Sequence, residues 1–277
     1  MASVTMTKTA SPKVKRQSEF ARVMKQLSKN KIAMAGLVIL IIECLLAALA
    51  PLIMPYGYAE MDLTQTFATP SLTHLFGCDD MGRDIFSRVL YGGRFSISIG
   101  ILAVLISVVI GMIIGALAGY FGGMTDNILM RFLDIVQAIP GMLLMIVISA
   151  VLGPGFVNTI IALSVSNIPG MARMLRAQMM KERDNEYIEA AQSINCSKMR
   201  IIVSHLLPNC LSPIIVQATM GVAQTITMAA SLSFIGLGVQ PPAPEWGAML
   251  SAARSFIRQA PHLVIFPGLA IAITVLA

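Results

Sequence analysis

Residues 32–54 form a stretch of 23 residues in which the only carboxylate is Glu43. An apolar helix of that length spans the roughly 30 Å hydrocarbon core of a bilayer. A secretory leader carries a shorter apolar region and a small-residue cleavage site, so this stretch reads as an uncleaved span whose amino terminus stays inside. Inside lipid every backbone N–H and C=O must find a partner within the protein, which leaves helices or closed barrels. Composition agrees: 56% of residues are hydrophobic and 12% are charged, against roughly a quarter charged in soluble domains.

The expected fold is an all-α membrane protein, a six-span helical bundle. Residues 1–31 form a basic cytoplasmic tail, 32–54 the first span and 55–94 an outer segment. A core domain over 95–277 holds spans at 95–120, 128–152, 156–175, 211–237 and 262–277. The last run is too short to cross fully, and the expectation is a truncated final span. Gly111 and Gly115 make a G-x-x-x-G pair that permits close helix contact. Pro140 and Gly141 are expected to kink the third span, and Pro169 with Gly170 the fourth. Arg131 and Asp134 lie one turn apart and are expected to pair. Trp246 reads as a headgroup-level anchor after a proline-rich outer loop.

Fifteen of the twenty Lys and Arg residues fall in the tail, at Arg131, or around residues 173–200. This bias places those segments in the cytoplasm. The net charge of +6 is therefore topology information, and no basic face interleaved with aromatics suggests nucleic acid. The four cysteines are spread out and imply no disulfide framework. The three histidines make no metal cluster, and the twenty methionines read as packing. Glu43 in mid-span reads as a hydrogen-bonding group toward a neighbouring helix or subunit. In the outer segment, Asp79, Asp80 and Asp84 alternate with Arg83 and Arg88, a patch that either pairs internally or meets a partner.

Between the fourth and fifth spans lies EYIEAAQSINCSKMRIIVSHLLPN, residues 186–209. Tyr187, Ile188, Ala191 and Ile194 share one helical face, with Glu186, Glu189 and Gln192 turned away. Asp184 is the expected cap of this helix and Ser197 of the next. Asn195 suits the left-handed corner between them, and Pro208 is expected to stop or kink the second helix. Such an amphipathic elbow suits either a groove on another protein or the headgroup surface.

The elbow resembles the EAA loop of permease subunits of bacterial ATP-binding-cassette (ABC) importers. The resemblance rests on Glu189, Ala190 and Ala191, followed by Ile201, Ile202, His205, Leu207, Pro208 and Asn209; Asn195 stands where that family usually has Gly. HLFGCDDMGRDIFSRVLYGGR (residues 74–94) and SFIGLGVQPPAPEWG (residues 233–247) resemble signatures of the dipeptide, oligopeptide and nickel branch, with Cys78 where Thr is usual.

The resemblance implies a type I permease in the bacterial inner membrane. It implies a second homologous permease, two ATPase subunits that bind ATP and Mg, and an extracytoplasmic substrate-binding protein. A phosphate-binding G-x-x-x-x-G-K-[ST] loop is missing from this sequence, so no catalytic residue, resident cofactor or metal site is assigned. Tyr187, Ile188, Ala190 and Ala191 would form the ATPase-docking face, with Glu189 as its polar contact. Asn195 would turn the corner, and Arg200, His205 and Pro208 would belong to the second helix of the coupling loop at 181–209. Asn158, Asn167, Gln217 and Gln224 either line a pathway or hydrogen-bond between helices. The implied cargo is a di- or oligopeptide, with nickel, a metal chelate or glutathione as the alternative. A stand-alone secondary transporter is the more distant reading, and it calls for mid-membrane coupling acids and inverted repeats.

Overall fold

The computed structural model describes residues 30–277, so the tail expected at 1–31 lies almost entirely outside the described residues. Among the described residues there is no β-strand. The helices are α1 (Lys31–Ile53), α2 (Ile85–Phe121), α3 (Gly123–Gln137), α4 (Gly141–Leu152) and α5 (Phe156–Arg183). They continue with α6 (Glu186–Ser193), α7 (Lys198–Phe234), α8 (Trp246–Ala253) and α9 (His262–Leu276). By length and apolarity α1, α2 and α7 can each cross a membrane, and α3 with α4 can do so as a broken pair.

Asn30 starts α1 by accepting from the Ile32 and Ala33 amides at 3.2 and 3.3 Å. Only Ala47 and Ala50 of this helix are buried. A helix apolar all round needs lipid, not protein, on most of its surface. Glu43 faces an apolar groove between α1, the start of α2 and α9, beside Phe76, Phe86 and Trp246. Its Oε2 has no hydrogen-bond partner among the described residues.

The centre of the bundle is the contact of α2 with α5. At Gly115 a Cβ would lie 2.4 Å from the Ala172 carbonyl oxygen, and at Gly119 it would lie 2.6 Å from the Met179 Cβ. Only hydrogen fits there, so the two backbones touch along the face that the glycine spacing marked. Ser107 Oγ bridges the contact to the Ser164 carbonyl at 3.0 Å. The fourth span was expected at 156–175, but α5 runs on to Arg183. The extra turns extend it by about 12 Å.

The expected kink at Pro140 is instead a corner: α3 and α4 meet at 82°. Pro140 is extended, with φ −51° and ψ 132°. A proline also forces its predecessor away from helical geometry, so the third span is two rods. Arg131 does not pair with Asp134. Asp134 instead meets Arg173 of α5 at 2.7 Å, while Arg131 is exposed, because the packing of α3 on α5 brings Asp134 and Arg173 together.

Outside the spans, the acidic and basic residues pair internally. Arg83 Nε lies 2.7 Å from Asp79 Oδ2 and Arg88 Nε 3.6 Å from the same oxygen. Asp84 caps α2 through the Ser87 amide at 2.7 Å and holds His74 Nδ1 at 3.0 Å. Cys78 is wholly buried, and burial reinforced by Asp84 and Asp79 pushes its thiol up to about 11, so it stays a neutral thiol. Trp246 is not a headgroup anchor. It is 4% exposed, donates from Nε1 to the Val89 carbonyl at 2.9 Å and packs over Gly93. Glu245 caps α8 by accepting from Gly247 and Ala248 at 2.9 and 2.8 Å.

Gly115→Leu is therefore expected to separate α2 from α5. Overpacking of this kind costs about 1–3 kcal/mol, read as a lower thermal midpoint of the detergent-purified protein. Gly170→Ala, at a helical position with open space around it, is expected to match wild type.

Candidate functional site: the coupling elbow and the polar face of α7

The elbow hangs from the protruding end of α5. Asp184 closes α5 and lies 3.4 Å from Arg183. It does not cap α6. The cap position belongs to Asn185, extended at φ −82° and ψ 147°, because one more residue is needed to turn the chain. Arg183 Nη1 reaches back to the Gly119 and Tyr120 carbonyls at 3.3 and 3.4 Å. A cation there satisfies the open carbonyls at the end of α2.

Two sides of α6 have different fates. Ile188 and Ala191 are buried in a cluster with Leu175, Met179, Ile201, Ile202 and Leu206. They anchor the elbow to its own chain, which removes Ile188 and Ala191 from the expected docking face, while Tyr187 and Ala190 stay exposed. Tyr187 and Gln192 are exposed at the sides, and Glu186, Glu189, Ala190, Ser193 and Ile194, all exposed, fall at the spacing of a single helical stripe. Ile194 is 80% exposed.

Asn195 turns the corner in the left-handed conformation, φ 57°. Its amide donates to the Gln192 carbonyl at 2.9 Å, and Cys196 donates to Ala191 at 3.1 Å. That bond pair is the Schellman ending of a helix. Ser197 then stands at the expected start of the next helix, but its side chain makes no capping bond.

Pro208 does not stop that helix. Residues Lys198–Arg200 open it, Ile201–Leu206 form a π-helical turn, and Leu207–Phe234 continue as α-helix. The widened turn relieves the clash of a proline ring with the carbonyl four residues back. The second arm of the elbow is thus continuous with the fifth span. Arg200 is exposed and His205 half-buried, and the His205 carbonyl accepts from Asn209 Nδ2 at 2.8 Å.

Tyr187 ties the parts together. Its hydroxyl donates to Glu182 Oε2 at 2.9 Å and accepts from Asn209 Nδ2 at 3.1 Å. Glu182 also accepts from Asn185 Nδ2 at 2.9 Å. One phenol therefore joins the end of α5, the start of α6 and the first turns of α7. Burial, and then the bond to Glu182, raise the Tyr187 pKa above its ordinary value, so it remains a donor. Sequence reading missed Glu182 and Asn209 as members of this joint. The only signal was a polar residue near each end of the coupling loop at 181–209.

The polar residues of the spans divide in two. Asn158 donates to the Leu152 and Gly153 carbonyls at 2.8 and 3.0 Å, closing the end of α4. Asn167 donates to Thr225 Oγ1 at 3.1 Å, joining α5 to α7. Gln217 and Gln224 are exposed, two turns apart on α7, on a face shared with Met220, Thr227 and Met228.

A helical membrane bundle with an anchored elbow at one end and a polar stripe along one span is built as a transport subunit. Residues 108–277 match the family described as binding-protein-dependent transport system inner membrane component. Residues 18–70 match the N-terminal TM domain of oligopeptide transport permease C. The chain belongs to this family and is an inner-membrane permease of the ABC importer class.

It is 45% identical over 259 residues to the dipeptide transport system permease protein DppC of Alkalihalophilus pseudofirmus, covering 94% of this chain and 85% of that one. Against DppC of Haemophilus influenzae it is 41% identical, covering 97% and 92%. The glutathione transport system permease protein GsiD of Escherichia coli is 45% identical, covering 91% and 84%. The fold is shared with the inward-facing MetNI methionine ABC transporter, at a TM-score of 0.57 and 20% identity, covering 68% of this chain and 89% of that one. It is also shared with an amino acid ABC transporter, at a TM-score of 0.55 and 16% identity, covering 69% and 89%.

Because Asn195 holds the corner through a left-handed backbone, Asn195→Gly is expected to keep the thermal midpoint. Asn195→Val places a branched side chain in that conformation and is expected to cost about 1–2 kcal/mol, seen as a lower midpoint in the same assay.

Proposed function

We propose that this chain imports di- or oligopeptides as one half of a translocation pathway. A second homologous permease completes that pathway, and two separate ATPase subunits drive it by binding and hydrolysing ATP with Mg. An extracytoplasmic binding protein delivers the cargo. The observation that carries this reading is the two-sided elbow. Ile188 and Ala191 fix α6 to α5 and α7, while a stripe of two acids and small residues stays open to a partner. Force applied to that stripe reaches both spans without passing through a flexible loop.

In this reading the ATPase groove receives Glu186, Glu189, Ala190, Ser193 and Ile194. Ile188 and Ala191 transmit the push, and Tyr187 holds the angle of the elbow. When two ATPases close around ATP, the elbows approach, α5 and α7 tilt, and the pathway opens outward. Gln217 and Gln224 line it. Amide side chains pair with peptide N–H and C=O groups whatever the cargo's side chains are, which suits a carrier of many peptides. The dipeptide permeases among the relatives support this cargo. Glutathione, itself a tripeptide derivative, is the second reading, favoured by a relative of equal identity.

The test uses Glu189→Arg and Ala190→Trp, both on the open stripe. Each is expected to reach the membrane at the wild-type level and to lose most of the co-purifying ATPase, at least about tenfold for a contact worth 1.4 kcal/mol or more. Full ATPase recovery with both variants contradicts the docking role. Uptake of a labelled dipeptide that excess glutathione fails to compete supports peptide cargo. Strong competition by glutathione favours the second reading.

A further inference from the structure

The third span is broken at residues 138–140, and its two halves lie against different parts of α5. The outer half, α4, touches the upper part, where Ser166 Oγ lies 3.4 Å from the Gly141 carbonyl. The inner half, α3, lies against the lower part through charges. Arg176 grips Asp126 with its Nε on Oδ1 and its Nη2 on Oδ2, the latter at 2.6 Å. Arg173 meets Asp134 at 2.7 Å. The two pairs are unequal. Asp126 and Arg176 are 15% and 31% exposed, against 51% and 42% for Asp134 and Arg173. A two-point Arg–carboxylate fork fixes orientation as well as distance, and an open pair contributes little. Asp126 also sits in the first turn of α3, where a negative charge complements the helix dipole.

The corner of the third span ends at Gly141, opposite Ser166, and the break expected in the fourth span at Pro169 and Gly170 does not form, because α5 runs as one helix from Phe156 to Arg183.

We infer that the Asp126–Arg176 fork rivets α3 to the inner half of α5, so that a push on the elbow moves α3 with it and the third span bends at residues 138–140. Asp126 and Arg176 are then positioning residues for transport, remote from both ATP and cargo. This inference rests on the importer reading above. It adds that the inner half of the third span belongs mechanically to the lever.

The experiment reconstitutes the complete transporter in proteoliposomes and measures labelled-peptide uptake per ATP hydrolysed, with ATPase co-purification as a control. Asp126→Arg and Arg176→Asp are each expected to retain the ATPase and to lower uptake per ATP at least about fivefold, the low end of ordinary coupling energies. The double exchange, Asp126→Arg with Arg176→Asp, is expected to recover most of that loss. Asp126→Asn keeps the shape without the charge and serves if a reversal does not reach the membrane; it too is expected to lower the ratio. An unchanged ratio in the reversals or in Asp126→Asn, or a double exchange no better than its parents, overturns the inference. Absence of ATP-dependent uptake in the wild type sinks the importer reading instead, so the two failures are distinct.

Discussion

The glycine-lined contact of α2 with α5 is the constraint on which the rest of this structure depends. Lipid tails are as apolar as leucine, so helices in a membrane gain little by hiding apolar surface from each other. They gain by close packing, which needs backbones without side chains between them. Gly111, Gly115 and Gly119 remove those side chains along one face of α2, and Met171, Ala172, Leu175 and Met179 of α5 fill the space. The same register sets Arg183 against the carbonyl end of α2. That fixes where α5 leaves the bundle and therefore where the elbow stands.

Polar chemistry is concentrated at the two ends of this rod pair. Outside, the buried Asp79, Arg83, Arg88 and Asp84, with the half-buried His74, fold the segment before α2 into a cap. Inside, Tyr187, Glu182 and Asn209 close the elbow. Between them buried hydroxyls such as Ser107 and Thr159 bond to carbonyls one turn back. A bonded hydroxyl avoids most of the cost of an unpaired polar group in lipid. The outcome is a bundle whose middle is packed by shape and whose ends are held by hydrogen bonds and charge.

Much of this was readable from residue order. Apolar run length marked the apolar cores of α1, α2 and α7, the glycine spacing marked the α2 face, and Asn195 marked the corner, because each depends on local geometry alone. Errors arose where a distant element decided the outcome. Trp246 looks like an interfacial anchor until Gly92 and Gly93 of α2 leave room for its ring. Asp134 had a partner one turn away in sequence, but the packing of α3 on α5 supplied Arg173. Pro208 obeyed its rule only locally, since a π-helical turn absorbed the strain and kept α7 continuous. Ile188 and Ala191 were correctly placed on the apolar side of α6. Periodicity does not tell whether such a side meets another chain or its own, and here it met Leu175, Met179 and Leu206.

The central claim is that force made by a separate ATPase enters at α6 and changes the shape of the bundle. Spin labels at Ile194→Cys on the open side of the elbow and Leu63→Cys on the outer segment, both at exposed positions, give a direct measurement in the complete transporter. The distance distribution between them is predicted to shift between the nucleotide-free and ATP-trapped states. An identical distribution in both states would contradict the account.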